Sequence, residues 1–220
     1  MLSKKVLRKQ SIGIKKTTIM KNKSNIELKK FYNIYTNSLK NSLDRVDLKK
    51  ISSITNLLKT KFKQKKKIFV CGNGGSAAIA NHYICDYLKL LRYNTNFKPK
   101  IISLSDNVET LTAISNDYDY SEIFKYQAES LADKGDIFII ISSSGNSNNI
   151  YKLAKWAKSR NFKIISFTGF NGGRLKKLSN INVNIQENNY GRVEDSHHIL
   201  MHLIMHYIIL TSKHIKKLRL

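Results

Sequence analysis

Apolar residues recur along this chain at two spacings, and the way the two alternate sets the architecture to expect. Residues 26–43 include Leu28, Phe31, Ile34 and Tyr35, and residues 48–62 include Ile51, Ile54, Leu57 and Leu58, steps of three and four that line one face of a helix. Two amphipathic helices are therefore predicted, followed by Lys61-Phe62-Lys63-Gln64-Lys65-Lys66-Lys67 as a solvated basic connection. The pattern then changes. Lys67-Ile68-Phe69-Val70-Cys71, Lys100-Ile101-Ile102-Ser103-Leu104, Gly135-Asp136-Ile137-Phe138-Ile139-Ile140-Ile141 and Lys163-Ile164-Ile165-Ser166-Phe167 are short, mostly apolar runs rich in β-branched residues, as strands buried on both faces require. Val183-Asn184-Ile185 is a last, shorter candidate. Between them the sequence predicts a helix from about Ser76, a short helix over 108–114, a turn at Asn116-Asp117-Tyr118, and helices over 120–131 and 148–158. A long amphipathic helix over 191–215 closes the chain. Strands alternating with helices predict an α/β fold, a doubly wound parallel five-stranded sheet with helices on both faces, preceded by the two N-terminal helices.

In such a sheet ligands bind beyond the carboxyl ends of the strands, and three polar, glycine-bearing segments fall there. The first, Cys71-Gly72-Asn73-Gly74-Gly75-Ser76, opens a helix, where free N–H groups and the positive end of the helix dipole converge on an anion. It lacks the third glycine of a dinucleotide fingerprint and the Gly-Lys-Ser/Thr of a P-loop, and by itself it is also compatible with a plain tight connection. The second, Ser142-Ser143-Ser144-Gly145-Asn146-Ser147, sets four serines around one glycine at a helix start. A helix cap needs one hydroxyl, so four of them favour a phosphate over an N-cap with spare serines. The third is Thr168-Gly169-Phe170-Asn171-Gly172-Gly173.

The final helix places Glu194, His198, His202 and His206 on one stripe at successive i+4 positions. His82 and Asp86 form another i, i+4 pair, the two-ligand spacing of metal-binding helices. His82 and His202 with the carboxylates Asp86 and Glu194 suit either a four-ligand metal site or an acid/base set, and spacing does not choose between them. His206 and His214 read as solvated or packing residues.

Composition then sets limits. At 220 residues and 41% hydrophobic, the chain can bury a full core, and length suggests one domain with an accessory segment. Residues 1–24 carry eight Lys or Arg and no acid, so 1–25 is expected to be a flexible basic extension, with Met20 as a second candidate start, and 26–220 the domain. Cys71 and Cys85 read as buried free thiols of a reducing compartment. No apolar run is long enough to span a membrane and no signal-peptide core follows the basic N-terminus, so a soluble cytoplasmic protein is expected. The net charge of +24 is mostly lysine spread along the chain, without Arg-aromatic clusters, and argues against specific nucleic-acid binding.

The three loop segments with His82, followed by Arg192-Val193-Glu194-Asp195 with His197 and His202, resemble in order and over residues 26–220 the sugar isomerase (SIS) family. Within it the chain is most similar to the phosphoheptose isomerases. That resemblance implies a flavodoxin-like fold and a homotetramer with active sites at subunit interfaces. It also implies aldose–ketose isomerisation of sedoheptulose 7-phosphate to a heptose 7-phosphate through an enediol, for lipopolysaccharide or capsule precursors. Ser142, Ser143, Ser144 and Ser147 would hold the phosphorylated sugar by its phosphate, with Asn73, Gly74, Gly75, Ser76, Asn116, Asp117 and Glu194 along the sugar chain. Asp86 and His202 would be the acid/base pair, and His82, Asp86, Glu194 and His202 would hold a zinc ion, one per subunit. The sequence departs from the family twice: Asp86 stands where Glu is expected and Glu194 where Gln is usual. The rival reading is a non-catalytic SIS module that binds a phosphosugar or a protein partner of the replication-initiator type, whose relatives lose the acid/base residues that this chain keeps.

Overall fold

The structure, a computed structural model, describes residues 27–212. The expected extension over 1–25 and the end of the C-terminal helix, with His214, lie outside the described residues. The chain divides after Thr36. The first unit holds the opening turns of helix α1 (Leu28–Asp44), where Leu28, Phe31, Tyr32 and Ile34 are exposed. The second unit takes the chain from Asn37 through helix α2 (Leu48–Lys63) and then alternates strand and helix. Its elements are β1 (Lys67–Cys71), α3 (Gly75–Asp86), β2 (Lys100–Ser103), α4 (Val108–Asp117), α5 (Ile123–Leu131), β3 (Ile137–Ser142), α6 (Asn148–Ser159), β4 (Lys163–Thr168), α7 (Gly173–Leu178), β5 (Ile181–Asn184) and α8 (Tyr190–Leu210). All five strands are parallel, in the order β2-β1-β3-β4-β5, which is the flavodoxin-like arrangement.

β3 is the centre of this sheet. All six of its residues are buried, with Ile139 opposite Val70 on one side and opposite Ile165 on the other. Successive side chains leave a strand on opposite faces, so the sheet feeds two cores. Val70, Ile139, Ile141 and Ile165 pack with Ile54 and Leu58 of α2, Tyr83 of α3 and Ile204 of α8. Phe69, Phe138, Ile140 and Ile164 pack with Phe124 of α5, Leu153 and Ala154 of α6 and Leu175 of α7. A strand consumed on both faces has no polar position to spare, and its polar residues begin at the carboxyl end, where Ser142 and Thr168 stand side by side.

Several elements differ from expectation for physical reasons. α4 continues through Asn116 and Asp117, read in the sequence as a turn; polar Ser115, Asn116 and Asp117 end the apolar period while the backbone goes on to Tyr118. α7 was hidden behind Gly172 and Gly173 because one turn and a half buries only Leu175. β5 runs over Ile181–Asn184 instead of 183–185, since the buried Asn182 breaks the apolar run and spends its amide on Ser166 Oγ (2.8 Å) and Thr168 Oγ1 (2.9 Å). α3 runs on into a π-helical turn at Tyr87–Leu91 directly after Asp86. Cys85, expected to be buried, is exposed on α3, whereas Cys71 is buried as expected. Among the described residues no helix is long and apolar enough to cross a membrane.

Ile139→Ala deletes a fully buried branched side chain from the strand on which both cores rest. It is expected to lower the free energy of unfolding by about 2–5 kcal/mol, read as a fall in the denaturant midpoint at unchanged slope. A loss below about 0.5 kcal/mol, the scale of a surface substitution, contradicts the central place of β3.

Candidate active site

The loops after β1, β3 and β4 meet at the carboxyl edge of the sheet and are tied to one another. Asn73, in the loop after β1, exchanges amide hydrogen bonds with Asn149 of α6: its Nδ2 donates to Asn149 Oδ1 (2.9 Å), and Asn149 Nδ2 donates to Asn73 Oδ1 (2.8 Å). The Tyr120 hydroxyl donates to the same Asn73 oxygen (3.1 Å). The loop after β3 rests backbone to backbone on the loop after β4. Gly169 N donates to Ser143 O (2.8 Å), Leu175 N donates to Gly145 O (3.0 Å), and a Cβ on Gly145 would collide with the Gly172 carbonyl. Gly145 also holds φ at +64°, so glycine is required there twice over.

This packing leaves the serine hydroxyls in different states. Ser142 Oγ accepts from Gly145 N (3.2 Å) and Ser144 Oγ accepts from Asn146 N (3.3 Å), so both brace the turn. Ser147 occupies the N-cap position of α6, yet its side chain makes no capping hydrogen bond. Ser143 Oγ is buried and has no partner. A buried hydroxyl without a partner costs free energy, and an anion above the loop would remove that cost. Arg174 of α7 flanks the loop, donating to Asn146 O (2.6 Å) and Asn148 Oδ1 (2.8 Å) with its guanidinium 4.2 Å from the Tyr151 ring centre. Sequence reading missed Arg174 because it sits on the helix that the two glycines concealed.

The second cluster lies where α3 packs against α8. His82 and Asp86 are one turn apart on α3, and His198 and His202 one turn apart on α8. Asp86 Oδ2 lies 3.1 Å from His202 Nε2 and 3.5 Å from His82 Nε2, and the two Nε2 atoms are 3.1 Å apart. His198 joins them: one ring nitrogen from each of His82, His198 and His202 falls within 4.8 Å of the others. The His198 Nε2 is buried without a hydrogen-bond partner. Burial first, then the neighbouring His202 and His82, hold its pKa below the ordinary value, so the ring is a neutral donor. The side chains of His82 and His202 remain 46% and 42% exposed, which leaves the cluster open to a ligand. Three imidazoles and a carboxylate, one of them an orphaned buried nitrogen, form a donor set that zinc accepts.

Not every expected residue joins this cluster. Glu194, one turn before His198, lies outside the three-histidine group and against Gly75, where a Cβ would collide with its carboxylate. Burial and then Asp195 raise its pKa. Asn116 and Asp117 are exposed at the end of α4 and bond each other (2.9 Å), with no hydrogen bond among the described residues linking them to the serine loop. His198 stood on the predicted stripe, but no spacing rule separated it from His206. His197, next in sequence to His198, is a core residue that faces the Phe167 ring, its pKa pushed down to about 4 by burial.

The sequence matches the SIS domain over residues 32–169. It is 39% identical over 155 residues to a phosphoheptose isomerase of Helicobacter hepaticus, an alignment that covers 70% of this chain and 78% of that one. With a phosphoheptose isomerase of Helicobacter pylori it shares 35% identity over 178 residues, 80% of this chain and 91% of the other. Its fold is similar to the structure of a phosphoheptose isomerase from Francisella tularensis, with a TM-score of 0.74 and 27% identity over 84% of this chain and 96% of that one.

The entry to α8 is braced by one carboxylate. Glu187 accepts from Arg192 Nε (2.8 Å) and Nη2 (3.0 Å) and from the main-chain N–H groups of Asn188 (2.7 Å) and Asn189 (3.1 Å). These bonds, the Arg192 guanidinium foremost, hold its pKa below the usual carboxylate value. A depressed folded-state pKa contributes stability that is present at neutral pH and lost as pH falls through that value. Glu187→Gln is therefore expected to cost about 1.5–3 kcal/mol at pH 7, with the difference from wild type shrinking as pH drops below about 4. A difference that stays constant with pH in urea denaturation rules out the ionic origin.

Proposed function

The chain belongs to the SIS domain family and, within it, to the phosphoheptose isomerases, and on that premise we propose that its site converts sedoheptulose 7-phosphate into a heptose 7-phosphate. The observation that carries this reading is a site with two ends. At one end is the serine loop after β3 with its unpartnered Ser143 hydroxyl; at the other is the pair formed by Asp86 of α3 and His202 of α8 at 3.1 Å. Ser76 and His82 are six positions apart on α3, about 9 Å along the axis, and Asp86 lies a turn beyond. A sugar anchored by a phosphate on carbon 7 carries its reacting carbons 1 and 2 at the far end of the chain, which suits a phosphate loop and an acid/base pair carried on different elements.

The reaction moves one proton between two carbons and one between two oxygens. In our reading Asp86 and His202 remove a proton from the carbon beside the carbonyl and deliver protons back through the enediol, as a pair of poised titratable groups does. Ser142, Ser143, Ser144 and Ser147 hold the phosphate, and Asn73, Gly74, Gly75 and Ser76 orient the chain. Glu194, at the first turn of α3, is placed for a sugar hydroxyl. We further assign zinc, one ion per subunit, to His82, Asp86 and His202 with His198 as the fourth donor, in place of the Glu194 ligand suggested by family resemblance. When bound, such an ion polarises the substrate carbonyl or fixes the acid/base side chains. The exposed positions Ile199, Leu203 and Tyr207 follow one another at i+4 on α8, an apolar stripe beside the histidines that supports assembly, as a tetramer, around the site.

Asp86 is one methylene shorter than the family residue, about 1.5 Å of reach at a scale where misplacement costs heavily. Asp86→Ala is expected to reduce turnover of sedoheptulose 7-phosphate at least about 100-fold while phosphate binding stays intact. Retained activity with retained metal dismisses both roles. Ser143→Ala should leave thermal stability unchanged or raise it, since the buried hydroxyl bonds nothing within the protein, yet raise KM; a loss of stability without a change in KM would make the residue structural. His198→Ala should lower bound zinc, measured by mass spectrometry after dialysis, and an unchanged metal content would return the fourth position to Glu194.

A further inference from the structure

At the opposite edge of the sheet, where the parallel strands begin, lies a cavity of about 720 Å³ to which neither the isomerase site nor its loops contribute. Lys59 and Lys63 reach it from α2, Lys65 from the connection into β1, and Lys98 and Lys100 from the entry to β2. Five of its eleven lining residues are thus lysine and none is acidic, whereas the whole chain has 39 basic and 15 acidic residues in 220. The concentration exceeds what the general lysine excess supplies. Phe62 and Phe97 form an apolar wall, with ring centres 5.4 Å apart.

Two of the lysines, Lys65 and Lys59, are fixed by the structure around them. Lys65 sits at φ +54°, just past the end of α2, in the left-handed conformation that favours glycine, closing the helix through Lys66 N to Lys61 O (3.0 Å). Lys59 donates to the last carbonyl region of α8, at Thr211 O (3.1 Å) and Thr211 Oγ1 (2.5 Å). Burial, and after it the neighbouring Lys63, lower its pKa.

We propose that this cavity binds a nucleotide-like polyanion, a small molecule with several phosphate charges and a flat apolar body. The lysines neutralise the charges and the Phe62–Phe97 wall takes the flat body, in a volume within the usual range for ligands of that size. The occupant is distinct from the sugar phosphate, which has one phosphate and no apolar part.

Titration calorimetry of the full-length protein with adenosine triphosphate, at low salt and with the sugar-phosphate site saturated by sedoheptulose 7-phosphate, tests the site. Binding is expected, with affinity at least tenfold weaker in Lys63→Glu/Lys98→Glu and isomerase activity unchanged. Both lysines are exposed, and a control pair outside the cavity, Lys49→Glu/Lys155→Glu, should bind as wild type. Inorganic tripolyphosphate should bind at least tenfold more weakly than adenosine triphosphate, and Phe97→Ala should remove that preference. Absence of binding, equal loss in the control pair, or equal affinity for tripolyphosphate would overturn the proposal.

Discussion

A parallel sheet covered on both faces has room for polar chemistry only at its two ends, and β3 imposes that constraint here. Its residues are buried throughout, and its neighbours β1 and β4 are nearly so. The hydroxyls, amides and ring nitrogens of the proposed site lie at the carboxyl edge or on the helices that cover the sheet. The serine loop follows directly, since Ser142 is the last residue of β3 and the glycines behind it let two loops lie backbone to backbone. At the amino edge the same rule gathers lysines around the strand entries.

The contact of α3 with α8 places the second half of the chemistry. Both helices bury an apolar face against the same core, through Ile79, Ala80 and Tyr83 on one and Leu200, Met201, Ile204 and Met205 on the other. Residues i+4 apart on each helix then face one another across the seam, so His82 and Asp86 meet His198 and His202 without any loop. A site carried on packed helices is held more firmly than one on loops, which matters for the proposed role of Asp86, one methylene shorter than the glutamate of the family. Among the described residues, the nitrogen Nε2 of His198 and the hydroxyl of Ser143 are two of the buried polar atoms without a hydrogen-bond partner. Both lie where a ligand is expected.

Much of this was legible in the sequence because it depends on period and on strand ends. The strands of β1, β3 and β4 showed as apolar runs, and the serine segment and the histidine stripe showed as excess polar residues at helix positions that need few. What escaped detection depends on pairing in three dimensions. Asn182 hid part of β5 because its polar side chain interrupts the apolar run, and only in the folded sheet does its Nδ2 find Ser166 and Thr168 on the adjacent strand. α7 buries one leucine and carries Arg174 with it, too little apolar surface for a periodic signal. Glu194 and His198 share a stripe, and only the position of Gly75 shows that the carboxylate turns toward the start of α3 while the imidazole turns toward His82.

The central claim is that Asp86 and His202 pass protons along a phosphorylated sugar. The direct measurement is nuclear magnetic resonance of sedoheptulose 7-phosphate incubated with the full-length protein in heavy water, with and without added zinc. An aldose 7-phosphate product is expected in at least one condition, carrying solvent deuterium at carbon 2 in some fraction of molecules, with no product from His202→Ala. No aldose from the wild-type protein in either condition, with the sugar phosphate nonetheless bound, would contradict it.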